Sequence, residues 1–270
     1  MRQRINTRFA NCLLAVGLFG LAPVAAQAQA ASDKWQWELG IYGWFPAIET
    51  TTSFPSGASA TIDVSAKDVI DSLKFALMGY VEARKGRWGV WSDLVYSDEG
   101  GSTDGSRAFT VDGNPVNASA NLTLDIKSTI WSLAGIYNLT ATPDNTTDLL
   151  FGVRMLNMKQ TLNWSLSSNI PELPARSGEA RVDGTDWDAI VGLKGRYYIG
   201  AGRKWFLPYY ADVGTGDSRL TWQINAGVGY QFNWGSLYAT WRYLDYDFGS
   251  GNALQSMSMS GVAIGAAFQF

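Results

Sequence analysis

Asp186 and Asp188 are the nearest this sequence comes to a pair of catalytic carboxylates, the arrangement that acid–base chemistry on a substrate would need. Two residues apart on an extended segment, they share one face with Lys194 and Arg196, and ion pairing across neighbouring strands is the plainer reading. Histidine is absent from all 270 residues. Without it a serine or cysteine nucleophile lacks an imidazole base, and a histidine-rich zinc site has no ligands. The expectation is therefore no enzyme: no catalytic residue, no metal and no cofactor.

What remains is charge placed at alternate positions. Lys74, Arg84, Arg87, Lys127, Arg154, Lys159, Lys194, Arg196 and Arg242 fall on the polar faces of extended segments, as do Glu38, Glu82, Asp93, Asp125, Asp186, Asp188 and Asp212. Opposed charges in such balance suit a self-neutralising ladder, because charges removed from water need partners. They equally suit a wet passage whose charge orients a small polar solute.

The elements that position these residues are strands. From residue 35 onward apolar residues recur with period two between loops rich in Gly, Asn, Asp and Ser. Ten strands are expected, near 35–45, 73–84, 88–96, 121–136, 149–166, 187–197, 205–214, 220–232, 236–246 and 257–270. In the fourth, Leu122, Leu124, Ile126 and Ile130 alternate with Asn121, Thr123, Asp125, Lys127 and Thr129, the apolar face running on to Ile136. In the fifth, Phe151 and Val153 give way to Met158, Leu162 and Trp164, a change of phase that a β-bulge near Met155 and Leu156 would absorb. Residues 46–72 hold material for a further hairpin, Thr61 to Val64 included, which would raise the count to twelve. Ser65 to Asp68 reads as a helix cap ahead of Val69 and Ile70.

Segments of about ten residues suit tilted strands crossing a bilayer, where only a closed barrel leaves no backbone unpaired. Aromatic residues mark both ends: Trp35, Trp37, Trp88, Trp205, Trp234, Phe268 and Phe270 at one, and Trp44, Phe45, Tyr96, Trp164, Trp222 and Tyr246 at the other. The fold class expected is thus all-β, a transmembrane up-and-down antiparallel barrel with an even number of strands. A soluble β-sandwich would share the period but not the two aromatic rings.

Residues 1–30 carry Arg2, Arg4 and Arg8, no acid, and the apolar run Leu13 to Ala22, which reads as a secretory signal peptide cleaved after Ala30 or, in a frame nearly as good, after Ala28. Residues 31–270 would form the barrel. Cys12 lies within the signal, so the mature chain has no thiol, in keeping with an oxidising envelope. Against 24 acids, the 21 basic residues less those three arginines leave about six net negative charges, which excludes a nucleic-acid binder. The chain closes on Val262, Ile264, Ala266, Phe268 and Phe270 with Gly265 on the other face, the form of signal that outer-membrane barrels present to the insertion machinery.

Three segments, Glu82-Ala-Arg-Lys-Gly-Arg-Trp-Gly89, Asp212-Val-Gly214 and Arg242-Tyr-Leu-Asp-Tyr246, resemble a widespread group of poorly characterised Gram-negative outer-membrane barrels, small and porin-like. That resemblance implies a fold and an address in the outer membrane but no mechanism. The function expected is a passive narrow channel for small hydrophilic solutes, the alternative being a non-conducting structural or surface-interaction barrel of the OmpA or OmpX type. Partners expected are outer-membrane lipid and lipopolysaccharide, the latter beside an acidic outer rim, together with the insertion machinery. A monomer is favoured.

Overall fold

The computed structural model describes residues 34–53, 59–111, 114–168, 176–250 and 254–270. The expected signal peptide lies outside them, as do loop acids such as Asp112 and Glu172. Eleven strands form one antiparallel sheet: β1 (Gln36–Ser53), β2 (Ser59–Val64), β3 (Leu73–Lys85), β4 (Trp88–Val111), β5 (Asn114–Ala141), β6 (Asn145–Ser168), β7 (Arg176–Ile199), β8 (Trp205–Gly216), β9 (Leu220–Gln231), β10 (Gly235–Asp247) and β11 (Leu254–Gln269). Each pairs with its neighbour, and β11 pairs back onto β1 from Glu38–Gln269 upward. Closure removes the edges that a bilayer would not tolerate.

Ten of these strands make the barrel. The eleventh, β2, is the hairpin suspected in residues 46–72. It pairs with the upper part of β1, Ile48 to Ser53, on the side that β3 occupies lower down, and adds no further crossing, so the count is ten and not twelve. The helix α1 (Ala66–Ser72) follows, with Ser65 as its cap: its hydroxyl accepts from the Asp68 amide at 3.2 Å.

Short turns and long strands sort the two ends. Gly86, at φ 64, lets the chain reverse between β3 and β4 in two residues. At the opposite end β4 to β7 continue paired far past a bilayer's thickness; β5 has 28 residues where a crossing needs about 10. At about 3.3 Å per residue the surplus measures on the order of 50 Å along the strand.

Outward apolar residues such as Ile41, Leu77, Val90, Leu193, Leu207 and Ile264 are exposed in a belt, the surface that a membrane barrel presents to lipid. Its outer rim carries Phe45, Phe75, Tyr96, Trp131, Trp187, Trp222 and Tyr243. Trp44 and Tyr246 were expected in this ring and are instead fully enclosed in the lumen.

Two further expectations are corrected. No bulge interrupts β6, whose register with both neighbours is unbroken through Met155 and Leu156. In β5 the faces are reversed: Ile130 and Ile136 point inward, 1% and 0% exposed, while Lys127 points out. Both errors arise where apolar residues face in: Ile130 and Leu156 join the apolar upper lumen, with polar residues outside above the belt, and Ile136 joins a second buried cluster lower down with Trp91, Ala134, Leu150, Ile190 and Tyr210.

Candidate functional site

The lumen is built in three tiers, each from inward positions of alternating parity along the strands. At the periplasmic mouth six charged groups balance. Arg84 on β3 grips Asp148 on β6 through both terminal guanidinium nitrogens, at 2.8 and 2.5 Å, and also donates to Glu82 at 2.6 Å. Lys194 pairs with the second oxygen of Glu82 and lies 5.4 Å from the Trp91 ring centre. Arg196 donates to Glu38 at 2.5 Å, and Tyr80 and Gln269 donate to the same carboxylate at 2.6 and 2.8 Å. These side chains, with Arg87 at the rim, surround a cavity of about 840 Å³ that reaches the turn residues Thr140 to Thr142.

The middle tier closes the cavity: Tyr42, Asp93, Gln223 and Arg242 form its floor, and beside them Arg154 and Asp212 are sealed off from it. Arg154 and Asp212 form an ion pair in which neither side chain is exposed, and Arg154 further donates to Ser132 and Thr221, each at 3.3 Å. Alongside, Arg242 donates to the Tyr42 hydroxyl at 2.7 Å, to Gln223 at 2.9 Å and to Asp93 at 3.1 Å, while Tyr42 donates to Asp93 at 2.7 Å. The Trp44 ring covers Arg242 from 4.7 Å. Each arginine here has an opposite charge and extra hydrogen bonds, the condition for keeping ions out of water, while one oxygen of Asp212 and one of the neighbouring buried Asp188 have no hydrogen-bond partner.

Above lies an apolar tier. Trp44, Met78, Val95, Ile130, Leu156, Leu244, Tyr246, Phe248, Met257, Met259 and Ala263 form one buried cluster across the upper lumen.

Of the charged residues expected inside, Glu38, Glu82, Arg84, Asp93, Arg154, Asp186, Asp188, Lys194, Arg196, Asp212 and Arg242 face the lumen. Asp188 stands apart from the pairs: its carboxylate accepts from the Ser218 amide at 3.0 Å. Asp186, above it, is half-buried, and neither meets the other in a shared site. Arg87 sits in the β3–β4 turn, donating to the Asn138 carbonyl at 2.9 Å.

Lys74, Asp125, Lys127 and Lys159 are corrections. Lys74 pairs with Asp125 at 2.5 Å and Lys127 with Asp98 at 2.8 Å, on the outer surface above the belt, and Lys159 is likewise exposed outside. There the outer face meets water, so a lysine costs nothing by pointing out. Asp148 was missed because the fifth strand was started one residue late; its even spacing from Arg154 was the available signal. Tyr42, Tyr80 and Gln223 gave no signal beyond parity. Inward glycines seat the rings of this wall: a Cβ on Gly40 would fall 2.1 Å from Tyr80, and one on Gly229 2.2 Å from Phe206. Gly265 lies inward against Tyr42 and Tyr238, while Phe268 and Phe270 face out.

No protein-family model and no curated protein matches the chain. Solved structures do. The outer-membrane protease OmpT of Escherichia coli aligns over 90% of this chain and 99% of its own, with a TM-score of 0.52 and 11% identity. The chain thus has the fold of a small outer-membrane β-barrel. Weaker likenesses are to the translocator domain of the autotransporter NalP of Neisseria meningitidis, TM-score 0.39, 13% identity, over 87% and 88% of the two chains, and to the attachment invasion locus protein Ail of Yersinia pestis, TM-score 0.32, 9% identity, over 88% and 99%.

The OmpT likeness corrects one expectation. The absence of histidine was taken to mean no enzyme, yet a protease is built on this barrel architecture, so the fold does not set catalysis aside. Missing imidazole removes only the chemistry that depends on it. At 11% identity the likeness carries the fold and no reaction.

Proposed function

We propose that this outer-membrane barrel is closed to the passage of solutes and serves a structural or surface-interaction role, the second of the two readings the sequence allowed. The observation that carries it is the double closure of the lumen: a fully buried Arg154–Asp212 pair at mid-height and an apolar cluster above it. An ion entering from the periplasm meets a cavity with paired charges whose floor is the Arg242–Asp93 cluster, then the sealed Arg154–Asp212 pair, then hydrocarbon. The long β4–β7 extension supports a role on the outer side, where it offers paired backbone well beyond the membrane. On this reading the signal over residues 1–30 is removed, the terminal strand with Phe268 and Phe270 is read by the insertion machinery, and the mature monomer contacts lipid and lipopolysaccharide.

Residues 31–270, refolded in detergent and inserted into a planar bilayer, test it. A heat-modifiable, folded barrel without discrete current steps is expected. Reproducible steps would restore the narrow passive channel as the better reading.

A further inference from the structure

The wall has one seam. The β1–β3 ladder starts at Gln36–Arg84 and stops at Ile41–Gly79, although both strands continue: β1 remains paired with β11 up to Thr52, and β3 with β4 down to Leu73. Over Tyr42–Ala47 and Leu73–Met78 the two strands face each other without pairing. Between adjacent strands within the belt, no other described interface leaves more than two consecutive positions unpaired, the nearest being Leu207 and Pro208 on β8.

The sequence lowers the cost of this gap. Trp37 exchanges both backbone hydrogen bonds with Phe270, which directs the odd residues of β1 toward β11 and the even ones toward β3. Of those even residues, Trp44 gives its amide to the Met78 thioether at 3.1 Å, and Pro46 has no amide to give. Unpaired backbone at membrane depth is otherwise costly.

The seam's two sides match. Outside it, Phe45, Phe75 and Leu77 are exposed at the outer rim of the lipid-facing belt, and Phe75 meets Tyr96 at 6.0 Å. Behind it stands the apolar upper tier, where Met78, Met257 and Met259 are buried. Methionine side chains repack readily around a flexible guest. The charged tiers lie lower, next to paired wall.

We propose that the β1–β3 seam admits an acyl chain of an outer-leaflet lipid into the apolar upper lumen. Apolar residues flank the seam on both sides, and α1, with Val69 buried, packs on β1 and β4 at its upper end, so the tail would leave one apolar medium for another below α1 while its headgroup stays at the aromatic rim. This lateral site is independent of whether ions cross the barrel.

Photolabelling decides it. The mature protein is placed in liposomes containing phosphatidylethanolamine with a diazirine at mid-chain, irradiated and mapped by peptide mass spectrometry. Adducts on the inward Met78, Met257 and Met259, in addition to outward Phe75 and Leu77, are the expected result. Adducts confined to outward residues would overturn the proposal. In a Pro46→Val, Met78→Val variant, which restores one amide and frees another for strand pairing, labelling at Met257 and Met259 should fall several-fold with outward labelling unchanged. Inward labelling undiminished in a heat-modifiable variant would rule the seam out as the route; should that variant not fold, the wild-type map stands as the test.

Discussion

The lower and upper halves of the lumen are made from the same strands in the same register, yet the lower holds ion pairs beside a small apolar cluster of Trp91, Ala134, Ile136 and Leu150, while the upper is lined with hydrocarbon. On β3, Glu82 and Arg84 face inward at the mouth, and Met78, two turns of the pleat higher, faces inward into the apolar cluster. On β10, Arg242 lies at the floor of the cavity and Leu244 and Tyr246 in the apolar cluster above it. Backbone geometry sets the alternation, but the identity of the inside face changes along each strand. A period of two thus states which residues share a face, and the surrounding medium at each height decides which face is apolar.

The largest effect that would test this contrast lies in the middle tier. Arg154→Ala leaves Asp212 enclosed without its partner and should cost about 3–5 kcal/mol, read as a lower urea midpoint for the refolded barrel. Lys194→Ala, at the partly open mouth, should cost only about 1 kcal/mol. Equal losses would mean that the two tiers do not differ in hydration.

In the upper tier Leu244 is fully buried, and Leu244→Ala should cost about 2–5 kcal/mol. The same truncation of Leu237, which faces lipid, should cost less. If the Leu237 change is as damaging by the same urea midpoint, the apolar cluster is not a packed core. Next in size is Gly229→Ala, whose methyl would meet the Phe206 ring and should cost about 1–3 kcal/mol of overpacking by that measure.

The smallest effect sharpens the inversion itself. Lys127→Cys should react with a membrane-impermeant maleimide on intact cells, and Ser128→Cys, buried against Ser97 at 2.8 Å, should stay protected without altered stability being needed to see it. The opposite labelling would reinstate the β5 faces as read from the sequence.

Much of the fold was legible. Where a strand's outer face is uniformly apolar and its inner face charged, as in β1, β4 and β7, strand, face and partner type followed from alternation. Legibility failed where both faces are apolar. The run Ile130-Trp131-Ser132-Leu133-Ala134 supports either orientation, and only the packing of Ile130 against Leu156 and Val95 in one cluster chooses. The bulge assigned to β6 was the same inversion mistaken for a slip in register.

By itself the sequence determined the strand alternation, an even number of crossings at ten or twelve, the apolar belt and the balance of charge, because these depend on local period and on transfer of side chains between water and hydrocarbon. Which arginine meets which carboxylate was settled only by tertiary structure: Arg242 finds Asp93 at a separation of 149 residues, and Arg196 finds Glu38 at 158. So were the height at which the lumen turns apolar and the stretch where β1 and β3 part. These depend on barrel closure and relative strand register, which bring together residues whose spacing along the chain carries no trace of their meeting.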